Sequence, residues 1–101
     1  MLARIRAQAA AGIDVSQHAA DEMDAEEITL AAAREALAPA ILLEDYPTHG
    51  RGPCCLLYGD TVAGRPLHLV CTTTRLRLLL ITIYEPQPPK WMNPTQRRPR
   101  P

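Results

Sequence analysis

The sequence predicts an α+β domain: N-terminal helices packed on a four-stranded antiparallel sheet, followed by an extended C-terminal arm. Three observations carry this reading. Up to Pro39 the apolar residues recur at helical spacing behind capping residues. From Ala40 to Glu85 the chain switches to short apolar runs separated by turn residues. Beyond Glu85 the stretch PQPPKWMNPTQRRPRP holds too much proline for a helix or a central strand. By length the 101 residues make one domain. They divide into a helical extension over 1–12, the domain proper over 13–86 and the arm over 87–101.

Residues 2–10 form an Ala-rich helix that Gly12 ends. Ser16 is the N-cap of a second helix over about 17–26, with Ala19, Ala20 and Met23 as its apolar side. Thr29 caps a third helix. Ile28 stands at the staple position before it, Leu30, Ala33 and Leu37 line one face, and Pro39 stops it. AILLEDY (40–46) reads as the first strand and PTHGRGP (47–53) as a loop dense in turn residues. CCLLYG (54–59) is the second strand, DTVAG (60–64) a turn, and RPLHLVCT (65–72) and RLLLITIYE (77–85) the third and fourth. Pro66 suits a strand's first residue, where a missing N–H is tolerated. Alternation puts His68, Val70 and Thr72 on one face of the third strand, and Leu78, Leu80, Thr82 and Tyr84 on one face of the fourth. Where those faces coincide, His68, Thr82 and Tyr84 gather near one end of the sheet, beside the helices.

Composition narrows the function classes. Phe is absent and aromatics total 4%, so Leu, Ile, Val and Ala must build a thin core that a partner or a homo-oligomer would supplement. No run approaches the roughly 18 apolar residues of a membrane span. MLARIRAQAAAG has neither a sustained apolar region nor a cleavage site, and the expected location is cytoplasmic, with no membrane partner. Cys54 and Cys55 are neighbours on one strand and point to opposite faces, while Cys71 lies on another. Three cysteines without regular spacing or a CxxC pair predict buried, inert thiols, neither a disulfide framework nor a zinc site. There is no Walker loop, GxGxxG, G-x-S-x-G or HExxH, and no cofactor is expected.

The formal net charge is zero, yet residues 1–50 carry three bases and nine acids while residues 51–101 carry eight bases and two acids. Such asymmetry fits a basic surface for nucleic acid, mutual attraction of the two halves, or an acidic helix face turned to solvent. Among residues that can carry chemistry, His18 has Glu22 at i+4, a spacing that lets carboxylate meet imidazole. His18 is then a general acid, a phosphate-contacting cation, or a structural link from helix to sheet. His68, between Leu67 and Leu69, is a catalyst or a hydrogen-bonded core residue. His49 sits in the Pro/Gly loop facing water. Tyr84 and Thr82 suit substrate hydrogen bonds or packing, and Arg51, Arg65, Arg75 and Arg77 suit phosphate or solvent.

EDYP (44–47), CLLYGD (55–60), GRPLHLV (64–70), ITIYEP (81–86) and KW (90–91) together resemble the bacterial family called domain of unknown function 4258. SQHA (16–19) with Met23, Ile28 and Thr29 resembles its opening helix, so the likeness covers about residues 14–92. The resemblance implies a RelE-like fold, that of small toxins and ribonucleases with helices before a four-stranded antiparallel sheet. It further implies a toxin-type domain of a toxin–antitoxin pair, acting on RNA as a metal-independent endoribonuclease and held by an antitoxin-like protein partner. On that reading a base takes the 2′-OH proton, an acid protonates the leaving 5′-oxygen and a cation stabilises the phosphorane. His18 and His68 are the implied acid–base pair, Tyr84 and Thr82 the orienting groups, and Arg51 or Arg65 the phosphate ligand. Where the family commonly has Arg before Met, this chain has Glu22, and where it commonly has Arg-Gly before Ile, this chain has Glu26 and Glu27. The rival expectations are a non-catalytic interaction module that uses the acidic helix or the basic arm, and a small-molecule binding domain. Finally, the arm is expected to lack regular structure, with Trp91 as its one anchor.

Overall fold

The computed structural model describes residues 2–47, 52–74, 77–87 and 91–97. Three helices precede the main strands: α1 (Leu2–Ala11), α2 (Gln17–Glu26) and α3 (Leu30–Leu37), with a short strand, β1 (Ile13–Val15), between the first two. The capping residues act as the sequence predicts. Ser16 Oγ accepts the Ala19 N–H at 3.0 Å to start α2, and Thr29 Oγ1 accepts the Ala32 N–H at 3.0 Å to start α3. Glu27, left-handed at φ 55°, ends α2 and returns its N–H to the Met23 carbonyl.

Next come β2 (Ile41–Tyr46), β3 (Cys54–Asp60), β4 (Pro66–Thr72) and β5 (Leu78–Tyr84), each antiparallel to the one before. The sheet has five strands in the order β1-β5-β4-β3-β2, not four, because β1 adds to the outer edge of β5 in parallel. This corrects the all-antiparallel expectation. Gly12 makes the addition possible: it closes α1 through its N–H to Gln8 and accepts the Leu78 N–H at 3.1 Å, so the chain leaves the helix already in register with β5. The arm is also more ordered than expected. Residues Trp91–Asn93 (β6) and Gln96–Arg97 (β7) form a separate two-stranded hairpin. The side chain of Trp91, the expected anchor, is not described, and the 48–51 loop with His49 and Arg51 lies outside the described residues.

The core fills the space between the helices and one face of the sheet. Ala19, Ile28, Ala33, Ala36 and Leu37 meet Cys55 and Leu57 from β3, Leu67, Leu69 and Cys71 from β4, and Leu78, Leu80 and Ile83 from β5. Small helix residues let the layers approach closely. The closest approach is at Gly59, where a Cβ would stand 1.9 Å from the Ala36 carbonyl oxygen. Pairing slips between Val70 and Cys71, which face Thr82 and Leu80, so Ile81 is the extra residue of a bulge. The slip corrects the expected β5 face. Leu78 and Leu80 turn to the helices, while Thr82 and Tyr84 turn away from them.

Candidate functional site on the outer face of the sheet

The face turned away from the helices carries a row of three rings on adjacent strands. Tyr58 on β3 stands opposite His68 on β4, and His68 stands opposite Tyr84 on β5. The ring centroids are 6.1 Å apart for Tyr58 and His68 and 5.3 Å for His68 and Tyr84, both edge to face. The next row holds Leu56, Val70 and Thr82. His68, Thr82 and Tyr84 are therefore brought together as the alternation predicts, but on the far side of the sheet from the helices.

His68 is fully buried, and the 91–97 hairpin supplies part of the cover. Its Nε2 lies 2.5 Å from the Pro94 carbonyl and its Nδ1 lies 3.2 Å from the Tyr84 hydroxyl. A carbonyl can only accept, so Nε2 carries the proton; in the neutral ring Nδ1 then accepts from Tyr84. Tyr58 donates to Asp60 at 2.8 Å, and this bond, ahead of burial, holds its hydroxyl above the usual phenol range.

His18 belongs to a different place. Its side chain is 64% exposed on α2, and Nε2 lies 3.4 Å from Glu22 Oε1. Glu22 in turn accepts the Ile83 N–H at 3.0 Å, and Glu26 accepts the Glu85 N–H at 2.9 Å. Ser16 extends the series, its N–H reaching the Leu80 carbonyl and its hydroxyl the Ile81 carbonyl. Where β1 ends, α2 thus continues the coverage of the β5 edge with side chains, satisfying backbone groups that would otherwise stay open. Burial raises the Glu22 pKa, with the Ile83 N–H and His18 acting in the opposite direction.

Arg65 is likewise engaged in the frame. Its Nε meets Glu85 at 2.7 Å, Nη1 donates to the Glu27 carbonyl at 3.1 Å and Nη2 to the Glu26 carbonyl at 2.7 Å. It ties the start of β4 to the end of β5 and caps the negative end of α2. Hence His18 and Arg65 serve the α2–β5 junction, whereas His68, Tyr84 and Thr82 lie on the outer face. The expected pairing of His18 with His68 across one phosphodiester is not assembled. Arg51, the other expected phosphate ligand, lies outside the described residues.

Two members of the outer site were not foreseen. Tyr58 follows from the five-residue turn after Asp60, whose register places it against His68. Pro94 was readable as a turn from Asn93-Pro94-Thr95, where the Asn93 side chain accepts from Thr95 N and Oγ1, each at 3.0 Å. Elsewhere, an apolar cleft of about 300 Å³ runs between α1 and α3, bordered by Arg6, Ala9, Arg34 and Leu37. Among the described residues, no three His, Cys, Asp or Glu side chains converge to hold a metal ion, and no helix is long and apolar enough to cross a membrane.

Helices that lead into an antiparallel meander, with a polar row centred on buried His68 on the open sheet face, define a small α+β domain with one-sided helical cover. The family described as Domain of unknown function (DUF4258) matches residues 15–85, more than half of the chain, and the chain belongs to that family. No match was found among curated proteins or among solved structures.

Proposed function

We propose that this chain is a non-catalytic protein-interaction module of RelE-like architecture, and that the outer sheet face around His68 is its binding surface. The observation that carries the reading is the hydrogen bond from His68 Nε2 to the Pro94 carbonyl. The chain's own hairpin models the occupant: a short strand-and-turn segment that presents a backbone carbonyl to a buried donor. An antitoxin-like partner would displace the hairpin and offer an equivalent carbonyl. The acidic helix supports this reading less directly than expected, because Glu22 and Glu26 bond the β5 backbone. Asp21, Asp24 and Glu27 are its outward-facing acids.

One observation favours a second reading, a toxin-type metal-independent endoribonuclease. With the hairpin lifted, the other neutral tautomer, in which the Nδ1–H donates to the Tyr84 oxygen, would present an unprotonated Nε2 to a 2′-OH, the arrangement of a positioned general base. Expressing the full chain and a chain ending at Pro86 in bacteria separates the two. The interaction module predicts normal growth and intact RNA in both cases. The nuclease predicts growth arrest and RNA cleavage by the shortened chain, both relieved by His68→Ala, and that outcome would overturn the first reading.

A further inference from the structure

Cys55 and Cys71 stand directly opposite each other on the antiparallel pair β3–β4, and both side chains are buried in the layer under the helices. Opposed residues of such a pair have Cα atoms about 4.5 or 5.5 Å apart, and disulfides form across about 4.4–6.8 Å. The Cys55 thiol points along the pair, its Sγ 3.8 Å from the Cys71 carbonyl oxygen. A cavity of about 20 Å³ is lined by Asp45, Pro53, Cys54, Cys55, Cys71 and Thr73. That space admits one water-sized molecule.

We propose that Cys55 and Cys71 form a cross-strand dithiol that a small hydroperoxide, approaching from the side of this cavity, converts to an intramolecular disulfide. The Cys55 thiolate attacks one peroxide oxygen and breaks the O–O bond, leaving a sulfenic acid on Cys55. The departing oxygen takes up the proton that Cys55 lost and leaves as an alcohol, or as water from hydrogen peroxide. The Cys71 sulfur then attacks the Cys55 sulfur and forms the S–S bond. The displaced hydroxide leaves as water with the Cys71 proton. Two thiols are oxidised by two electrons and one peroxide is reduced.

The electrostatics assign the order of attack. The neighbouring Cys71 side chain holds the Cys55 pKa below the ordinary thiol value, against burial and the Asp45 carboxylate, which raise it. The same contact, with burial, drives the Cys71 pKa far up. Cys55 is therefore the nucleophile and Cys71 the resolving thiol. Cys54, on the same cavity, is raised by burial and is the competitor.

The test exposes the folded full-length chain to hydrogen peroxide, alkylates remaining thiols and maps the products by mass spectrometry. The expected result is a monomer that has lost two of its three thiols and carries a link between the peptides of Cys55 and Cys71. The same link should form in Cys54→Ala. In Cys71→Ser, which removes the resolving sulfur but keeps a hydrogen-bonding side chain beside Cys55, a sulfenic acid trapped by dimedone should appear on Cys55. A link through Cys54, disulfide-bonded dimers, or three intact thiols after treatment would each overturn the proposal. The wild-type and Cys54→Ala maps decide the matter even where Cys71→Ser fails to fold.

Discussion

Replacing Glu22 separates the structural role of the acidic helix from its charge. Glu22 Oε1 is the acceptor for the N–H of Ile83, a residue with no exposed surface. Leaving a buried N–H without a partner costs about 1–3 kcal/mol. The Glu22 side chain is 21% exposed, so water can enter where it is removed. Glu22→Ala should therefore fall in the lower half of that range, about 1–2 kcal/mol, and lower the melting temperature by roughly 5–12 °C. Glu22→Gln keeps an oxygen acceptor without the buried charge and should be at least as stable as wild type at neutral pH. The sign follows from linkage. A carboxyl whose folded pKa lies above its ordinary value of 4.5 holds its proton more tightly in the folded state. Its contribution to stability is then fully present at low pH and lost as pH rises from 4.5 through the raised folded value. Wild type and Glu22→Gln should match in acid, and the Gln variant should gain relative to wild type above that window. Urea unfolding followed by circular dichroism at several pH values measures all three chains. A Gln variant as unstable as the Ala variant, or an Ala variant within about 0.5 kcal/mol of wild type, would refute the edge-capping account.

His18→Ala removes a largely exposed imidazole beside Glu22 and should change unfolding stability by no more than about 0.5 kcal/mol, measured by the same denaturation. Gly59→Ala forces a methyl group against the Ala36 carbonyl and should cost about 2–3 kcal/mol, read as a lowered urea midpoint. Arg65→Lys replaces a three-bond fork by a point charge and should cost about 1 kcal/mol; added salt should narrow the difference from wild type.

The helices and the main strands were legible because their signals are local. Ser16 and Thr29 announce the starts of α2 and α3, and the turn-rich segments between apolar runs delimit β2 to β5. What stayed hidden depends on partners distant in sequence. Ile13–Val15 is too short to read as a strand, and only the waiting edge of β5 makes it one. The Ile81 bulge breaks the period of two inside a run of Leu and Ile that shows no interruption, so strict alternation put Thr82 and Tyr84 on the helix-facing side with Leu78 and Leu80. His68 could be placed near Tyr84 only on the condition that the two strand faces coincide, because the sequence does not fix their register; the pairing sets them opposite each other. Its second partner, a backbone carbonyl, leaves no trace in side-chain chemistry. The replacements at Glu22 and Glu26 looked like lost RNA-binding charge. In the fold they are acceptors for the N–H groups of Ile83 in β5 and of Glu85 just after it.

The central claim is that the outer sheet face receives a chain segment through His68. A direct measurement titrates a synthetic peptide of residues 87–101 into the chain ending at Pro86, after circular dichroism has confirmed that the shortened chain is folded. The fluorescence of Trp91, the chain's single tryptophan, reports binding. A short tether gives an effective concentration on the order of 1 mM. A dissociation constant of ~100 μM would therefore keep the hairpin docked about nine-tenths of the time in the intact chain. The account predicts saturable binding of about that strength or tighter, weakened roughly tenfold by His68→Phe, which keeps a ring but removes the donor. Fluorescence that does not saturate with a folded receptor, or binding that His68→Phe leaves unchanged, would contradict it.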